Sequence, residues 1–150
     1  MTSPNTIKWL SDLVRVEIDM WNRINARLQQ ENNLSLAFFE TLSFIGQAPD
    51  GSLRIGDLAR ALRITVGAAS KLVDRVEAAG LIRRELDAHD RRASRVALTD
   101  SGQQMLAEAS ATHEAEMKHI LDATFTADEQ HQLHSLVKRL LNTVNQAETV

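Results

Sequence analysis

The sequence predicts a mostly α-helical fold with one small β-hairpin, and three observations support this prediction. Most of the chain carries apolar residues at spacings of three and four, which is the periodicity of amphipathic helices. Only residues 81–86 and 94–98 read as short strands, and the polar stretch 87–93 joins them as the tip of a hairpin. Strong turn formers interrupt the helical pattern, above all at residues 48–51.

Long amphipathic helices are predicted at both ends of the chain. The first runs from about residue 6 to residue 30, and the last opens at a capping box over residues 126–129. Their apolar stripes are more extensive than the small lobe between them can cover. We therefore expect them to dimerise with a second copy, whereas the alternative is an intramolecular core. The predicted organisation is a single domain, 1–150, with dimerisation helices at about 6–31 and 102–147 and a central lobe at about 36–100.

The middle of the chain predicts a helix, a tight turn, a second helix and then the hairpin. Thr65 is placed as the N-cap of the second helix, and Gly80 supplies a left-handed C-terminal cap after Ala79. This order is the winged helix-turn-helix plan, in which the second helix can enter the major groove of DNA. A very apolar helix over 36–45, a candidate short strand over 53–55 and a short helix over 56–62 precede that second helix.

The charge is distributed unevenly along the chain. Residues 54–95 contain ten Lys and Arg against six Asp and Glu, whereas the rest contains seven against fourteen. A basic surface can therefore attract DNA although the formal net charge is −3. The chain has no cysteine, which excludes disulfides and thiolate metal sites and fits a reducing compartment. The first residues lack the apolar core of a signal peptide, so we expect a cytoplasmic protein associated with the nucleoid.

Four strings in the middle of the chain carry a family resemblance. They are LRIGDLA (53–59), KLVDRVEAAGLI (71–82), DAHDRR (87–92) and VALTDSG (96–102). Together they resemble the MarR family of bacterial regulators over residues 53–106. The resemblance implies a homodimer on a pseudo-palindromic operator in double-stranded DNA, with recognition helices in successive major grooves and wing tips in the adjacent minor grooves.

The resemblance also implies which residues face DNA. Lys71 and Arg75 lie one turn apart and can reach phosphates or guanine edges, while an Arg on a thin hairpin suits a narrow minor groove. Similar proteins often carry hydroxyl residues and a proline at the start of this helix, where this chain does not, so the operator cannot be borrowed from them. The implied contact residues are Thr65, Val66, Gly67, Ala68, Ser70, Lys71, Arg75, Arg91 and Arg92.

Each of the wing-tip residues also has an alternative role. Arg91 and Arg92 could be a solvated hairpin tip. Arg92 could instead pair with Asp74 and lock the wing to the recognition helix, as equivalent positions in the family suggest. Asp90 is expected to orient a neighbouring arginine rather than to perform chemistry.

Two ligand hypotheses concern side chains outside the DNA-binding surface. Relatives bind small phenolic or anionic effectors, and the candidate pocket residues for such an effector are Trp21, Phe38, Phe39 and Phe44, with core packing as the alternative for each. Imidazole is a metal ligand, but no Glu, Asp or His spacing completes a recognisable set. We therefore expect no metal and no cofactor. The candidate metal-binding histidines are His113, His119, His131 and His134. Of these, His113 lies on an apolar stripe typical of an interface.

Three functions were compared on these grounds. The first is a DNA-binding transcriptional regulator modulated by a small-molecule effector. The second is a ligand- or protein-binding dimer that uses the winged fold without specific DNA binding, which the weakly polar start of the recognition helix favours. The third is an enzyme, but the sequence has no phosphate-binding glycine loop and no nucleophile elbow. The operator, the regulated genes, the effector and the sign of regulation do not follow from the sequence.

Overall fold

The computed structural model describes residues 5–146, which form six helices and a three-stranded antiparallel sheet. The predicted mostly α-helical class with a small wing is confirmed. By their internal contacts the residues divide into two compact units, one up to His113 and one from Glu114 onward. The elements are α1 (Thr6–Asn32), α2 (Leu36–Gly46), β1 (Ser52–Arg54), α3 (Ile55–Leu62), α4 (Val66–Ala78), β2 (Ile82–Leu86), β3 (Ser94–Leu98), α5 (Asp100–Thr124) and α6 (Ala127–Gln146).

Helix α1 begins at a side chain that caps its first turn and ends at a residue in the left-handed conformation. The Asn5 carboxamide oxygen accepts hydrogen bonds from the backbone N–H of Ile7 and of Lys8. Asn33 adopts a left-handed conformation with φ 51° and ends the helix. The Asn25 side chain then accepts from the backbone N–H of Leu36 at 2.9 Å, which ties the start of α2 to α1.

The core of the first unit is built by α1 to α5 and the sheet. Helix α2 contributes one almost wholly buried side, as its high apolar content predicts. From α1, only Ile24 and Leu28 of the predicted apolar stripe are buried. The earlier positions of that stripe are exposed. The largest fully buried side chains are those of Leu28, Thr41, Leu42, Ile45, Leu58, Val73, Val76, Ile82 and Val96.

The wing is a three-stranded sheet rather than an isolated hairpin. Strand β3 lies in the centre, with β1 and β2 antiparallel on its two sides. Val96 is opposite Leu53 of β1 and Arg84 of β2. The candidate strand near residue 53 therefore joins the hairpin, and this explains why Val96, Ala97 and Leu98 are all buried.

The exit from the wing into α5 depends on a close backbone contact. The Thr99 hydroxyl accepts from the backbone N–H of Gly102 at 3.0 Å and donates to the carbonyl of Gly80 at 2.6 Å. A Cβ atom at Gly102 would lie 1.9 Å from the carbonyl oxygen of Leu81. Thr99 therefore caps the start of α5, and three residues later only glycine fits, at Gly102.

In the second unit, α6 opens at the predicted capping box. The backbone N–H of Thr126 donates to the Glu129 carboxylate at 2.9 Å, and the backbone N–H of Glu129 donates to the Thr126 hydroxyl at 3.3 Å. Helix α6 buries none of its residues, so its apolar stripe is exposed. Over residues 5–146, the helices are all too short or too polar to cross a membrane.

Candidate nucleic-acid interface

The turn between α3 and α4 is three residues long and closed by its own hydrogen bonds. Arg63 adopts φ 56°, and its backbone N–H donates to the carbonyl of Arg60 at 3.2 Å. The backbone N–H of Ile64 reaches back to the carbonyl of Ala59 at 3.1 Å. The Thr65 hydroxyl then accepts from the backbone N–H of Ala68 at 3.1 Å. The predicted N-cap is confirmed, and it fixes the direction in which α4 leaves the turn.

Helix α4 has a buried apolar side and an exposed cationic side. Ala69, Leu72, Val73 and Val76 are buried, as the sequence pattern predicts. Lys71 makes no ion pair with any residue in the range 5–146. Of the residues expected to face DNA, Ser70 is half-buried and the others on this helix and its cap are exposed, namely Thr65, Val66, Gly67, Ala68, Lys71 and Arg75.

Arg75 is oriented by an aromatic ring of the neighbouring helix. Its guanidinium carbon lies 5.7 Å from the centroid of the Phe38 ring, within the range of a cation–π contact. Phe38 is half-buried and belongs to α2. The contact restricts the long Arg75 side chain while it leaves the residue exposed, so it links α2 directly to the cationic side of α4.

The wing is joined to α4 by Arg84, not by Arg92. The Arg84 guanidinium donates to the Asp74 carboxylate at 2.5 Å and lies 3.6 Å from a Glu77 carboxylate oxygen. The backbone N–H of Arg84 also donates to Glu77 at 3.1 Å. The alternative role in which Arg92 pairs with Asp74 is therefore wrong, because β2 runs beside α4 and brings Arg84 to that carboxylate.

This pairing changes the electrostatics of the cationic side. Asp74 and Glu77 lie on the same helix as Lys71 and Arg75, and unpaired carboxylates there would repel phosphate groups. Arg84 compensates them from the wing. The local excess of positive charge on α4 thus depends on a residue of β2.

Asp87 anchors the base of the wing. Its buried carboxylate accepts from the Arg54 guanidinium of β1 at 2.9 Å and from the Arg95 guanidinium of β3 at 3.2 Å. It also accepts from the backbone N–H groups of His89 and Asp90 at 2.9 and 3.1 Å. The hydrogen bond from His89, followed by that from Arg54, holds the pKa of Asp87 far below its usual range. The anchor is therefore ionised at any physiological pH.

The wing tip is an ordered turn that presents two arginines. The backbone N–H of Ala93 donates to the carbonyl of Asp90 at 3.1 Å, and the Asp90 carboxylate accepts from the backbone N–H of Arg92 at 3.0 Å. Asp90 thus orients the backbone of Arg92 rather than a guanidinium group. Arg91 and Arg92 are both exposed, and within the described range neither guanidinium forms an ion pair.

The four aromatic candidates for an effector pocket lie in different environments. Phe39 is buried and stacks on His113, with ring centroids 5.0 Å apart and an interplanar angle of 22°. Phe44 is half-buried, as is Phe38, whereas Trp21 is exposed on α1. A cleft of about 420 Å³ between α2, the sheet and the start of α5 contains none of the four in its lining. The effector pocket stays a prediction.

No group of three or more potential metal-ligating side chains is present among the described residues. The Nδ1 atom of His131 lies 3.2 Å from the carbonyl oxygen of Ala127, so this ring forms a hydrogen bond within its own helix. His113 packs against Phe39, which is the environment that its position on an apolar stripe indicates.

Sequence reasoning missed the two residues that position the interface. Arg84 and Asp87 were assigned no role, although Arg84 lies in the predicted strand over 81–86 and Asp87 opens the string over 87–92. The alternation of side chains along β2 was the available signal, because Arg84 and Leu86 share a face of the sheet with Ile82. The Asp87 anchor could not be inferred, since it depends on β1 pairing with β3.

Comparison with known proteins agrees with this geometry. A family model described as "MarR family" matches residues 33–93. Sco3205 from Streptomyces coelicolor, a MarR family transcriptional regulator solved with DNA, is 22% identical, with a TM-score of 0.83 over 96% of this chain and 93% of that one. A mutant of MarR from E. coli with operator DNA is 24% identical, with a TM-score of 0.80 over 91% and 96%. The transcriptional regulator BldR from Sulfolobus solfataricus is 26% identical, with a TM-score of 0.73 over 89% and 95%.

Proposed function

We propose that the protein belongs to the MarR family, whose model matches residues 33–93, and that it is a sequence-specific transcriptional regulator of duplex DNA. It acts in the cytoplasm at the nucleoid, as a homodimer. The observation that carries the proposal is the division of α4 into a fully buried apolar side and an exposed side with Lys71 and Arg75. A helix of this kind enters the major groove with its exposed side against the base edges.

The contact surface consists of the start of α4, its cationic residues and the wing tip. Phosphate contacts from Lys71 and the two wing arginines set the register on the duplex, while the residues at the start of α4 reach the base edges. The cap of α4 keeps its hydroxyl proton available for a phosphate, because Thr65 uses only a lone pair in the cap. The proposed contact residues are Thr65, Val66, Gly67, Ala68, Ser70, Lys71, Arg75, Arg91 and Arg92.

The exposed apolar stripes of the terminal helices support a dimer. On α1 the exposed large apolar residues include Ile7, Leu10 and Val14, and on α6 they include Leu136 and Leu140. A stripe of exposed large apolar side chains along a helix marks an interaction site. A two-fold axis through such an interface presents two copies of α4 to one duplex, so the operator is pseudo-palindromic.

A small-molecule effector that alters the spacing of the two α4 helices would regulate DNA binding. The candidate pocket residues remain Trp21, Phe38, Phe39 and Phe44. The contact between Phe38 and Arg75 supports this part of the proposal, because a ligand that displaces the Phe38 ring also releases a DNA-contacting arginine. A thermal-shift screen of small phenolic and anionic compounds, with metals as a comparison, tests for such a ligand.

The proposal is tested by recovering the bound DNA. Genomic fragments retained by the purified dimer are sequenced, and the recurring site is titrated by fluorescence anisotropy at several salt concentrations. We expect the logarithm of the association constant to fall by about 0.9 per neutralised phosphate for each decade of salt. Binding that is absent, or insensitive to salt, would favour a ligand- or protein-binding dimer instead.

Variants of the exposed cations locate the interface. K71A removes a phosphate contact, so it should weaken binding and flatten the salt dependence without loss of the dimer. R75A should weaken binding by roughly tenfold without loss of the dimer, because truncating one good base contact costs about 1–3 kcal/mol. The R91A/R92A double variant should weaken binding to most sequences and flatten the salt dependence. K138A on α6 is the control, since it removes an exposed cation outside the proposed interface.

A further inference from the structure

Exposed large apolar side chains in the winged-helix lobe, residues 36–99, are confined to two places. Among large apolar residues of the lobe, only Ile64, Val66 and Leu86 are exposed, at 39%, 59% and 80%. All other exposed large apolar residues in the described chain lie on α1 and α6. A single exposed valine needs no explanation by itself. Here, however, two of the three residues flank the cap of the recognition helix.

Gly67, next to Val66, is not required by any contact or backbone conformation among residues 5–146. It has no positive φ, and a Cβ atom placed on it would meet no atom within 4 Å. Glycine also disfavours the helix relative to alanine. Its missing side chain therefore leaves the helix backbone bare on the outside, directly beside the exposed isopropyl group of Val66.

The start of α4 also lacks polar side chains that read bases by hydrogen bonds. Val66, Gly67 and Ala68 carry no side-chain donor or acceptor, and the Thr65 hydroxyl, which accepts in the cap, keeps its proton for a phosphate rather than for a base. In the major groove the one apolar feature of the base edges is the 5-methyl group of thymine, which apolar side chains contact.

The geometry points to a methyl readout: Val66 contacts the 5-methyl group of a thymine in each operator half-site, and Gly67 provides the space for its approach. This inference rests on the proposed function and specifies its substrate. Each half-site then holds a T·A pair under the start of α4, and the affinity depends on the methyl group rather than on the hydrogen-bonding groups of that pair.

The test replaces thymine by uracil, which removes the methyl group and leaves the base-pairing groups unchanged. The duplex recovered by genomic selection is synthesised with either base in the half-sites, and both forms are titrated with wild-type protein and with V66A. For the wild type we expect roughly tenfold weaker binding to the uracil duplex, because one buried methyl contact is lost at each of two symmetric half-sites. V66A should lose a similar factor on the thymine duplex and less than twofold on the uracil duplex.

Two further variants separate a methyl contact from a general loss of binding. G67A adds a methyl group where the thymine methyl approaches, so it should bind the uracil duplex more tightly than the thymine duplex, the reverse of the wild type. L86A removes the exposed apolar side chain of the wing and should change the affinity for both duplexes by the same factor. Circular dichroism and thermal melting confirm that the variants are folded.

The outcomes distinguish the inference from the function beneath it. Equal binding of wild type to both duplexes, or an equal loss by V66A on both, overturns the methyl readout while DNA regulation stands. Failure to recover any bound duplex overturns the proposed function, and the methyl readout with it.

Discussion

The winged-helix lobe and helix α6 contain apolar residues in similar patterns but bury them to different extents. In the lobe, the apolar sides of α3, α4 and β3 are buried almost completely, as Leu58, Val73 and Val96 illustrate. On α6 the corresponding stripe is open to solvent, and Leu136 is 56% exposed. The lobe is therefore complete within one chain. The stripe of α6 is not, and a second chain is what completes it in the dimer that we propose.

The largest expected effect comes from placing charge in the α6 stripe. L136D/L140D should raise the dissociation constant of the dimer by at least about a hundredfold, because a leucine buried at the interface contributes about 1.5–3 kcal/mol and each appears twice in a symmetric dimer. Analytical ultracentrifugation measures the change. S135D, on the opposite side of the same helix, is the control. If L136D/L140D remained as dimeric as S135D, the α6 stripe would not be a dimer interface, and a second chain would not be what completes it.

The lobe should be most sensitive where its backbones touch. G102A forces a Cβ atom to within 1.9 Å of the Leu81 carbonyl oxygen, so we expect a loss of about 2–3 kcal/mol in the free energy of unfolding. G56A is the matched control, since a Cβ atom there meets nothing within 4 Å and should stabilise α3 by up to about 1 kcal/mol. Urea denaturation measures both. If G102A left the free energy of unfolding unchanged, the contact between α5 and Leu81, which follows α4, would not be tightly packed.

Because of the Asp87 anchor, the stability of the wing should depend on pH only under acidic conditions. Because the folded-state pKa of Asp87 is depressed, its stabilising contribution is complete above the ordinary carboxyl pKa of about 3.9 and is lost as the pH falls towards the folded-state value. D87N should therefore melt several degrees below the wild type from pH 5 to 8, and the gap should narrow below about pH 4. A constant gap down to pH 3 would contradict the role assigned to the carboxylate. D90N serves as control, since its carboxylate is exposed.

The link between wing and recognition helix should affect DNA binding more than stability. R84A removes a partly exposed ion pair worth about 0.2–1 kcal/mol, so the free energy of unfolding should change little. It also leaves two carboxylates of α4 uncompensated near the DNA, and the affinity should fall by roughly threefold to fivefold. Adding D74N to R84A should recover part of that loss in anisotropy titrations at low salt. If D74N did not recover any of the affinity, Arg84 would not act on DNA binding by compensating the Asp74 carboxylate.

The smallest expected effect concerns the ring beneath Arg75. F38L should weaken DNA binding by roughly twofold to fivefold, which corresponds to the 0.5–1 kcal/mol of an exposed cation–π contact. In the R75A background the same substitution should have no further effect on affinity, because the residue that it positions is gone. F44L, which alters another half-buried ring of α2, should not show this dependence. Additive effects of F38L and R75A would show that Phe38 acts independently of Arg75.

Most helix boundaries could be predicted because their signals are local. Thr65 and Gly80 mark the two ends of α4 through a hydroxyl that caps the first turn and a residue that tolerates φ 77°. The capping box of α6 is equally local, since its two partners are three residues apart. The buried side of α4 followed from the helical period alone.

The errors of sequence reasoning concern pairs of distant residues. Arg92, 18 positions away, was considered as an alternative partner of Asp74, but Asp74 pairs with Arg84, which is ten positions away and on the neighbouring strand. Asp87 meets Arg54 across 33 positions, and only the addition of β1 to the hairpin brings them together. Periodicity along one segment contains no information about which other segment lies beside it.

The sequence by itself determined the order of elements, the side of α4 that faces inward and the accumulation of positive charge in residues 54–95, because caps, turns and helical periodicity act over a few residues. The tertiary structure decided which charges are compensated. It joins Arg84 to Asp74 and buries Asp87 beneath two arginines, while the cations of the wing tip stay exposed. The reason is geometric: an ion pair needs its atoms within about 4 Å, and the packing of each strand against its neighbouring strands and helix sets that distance.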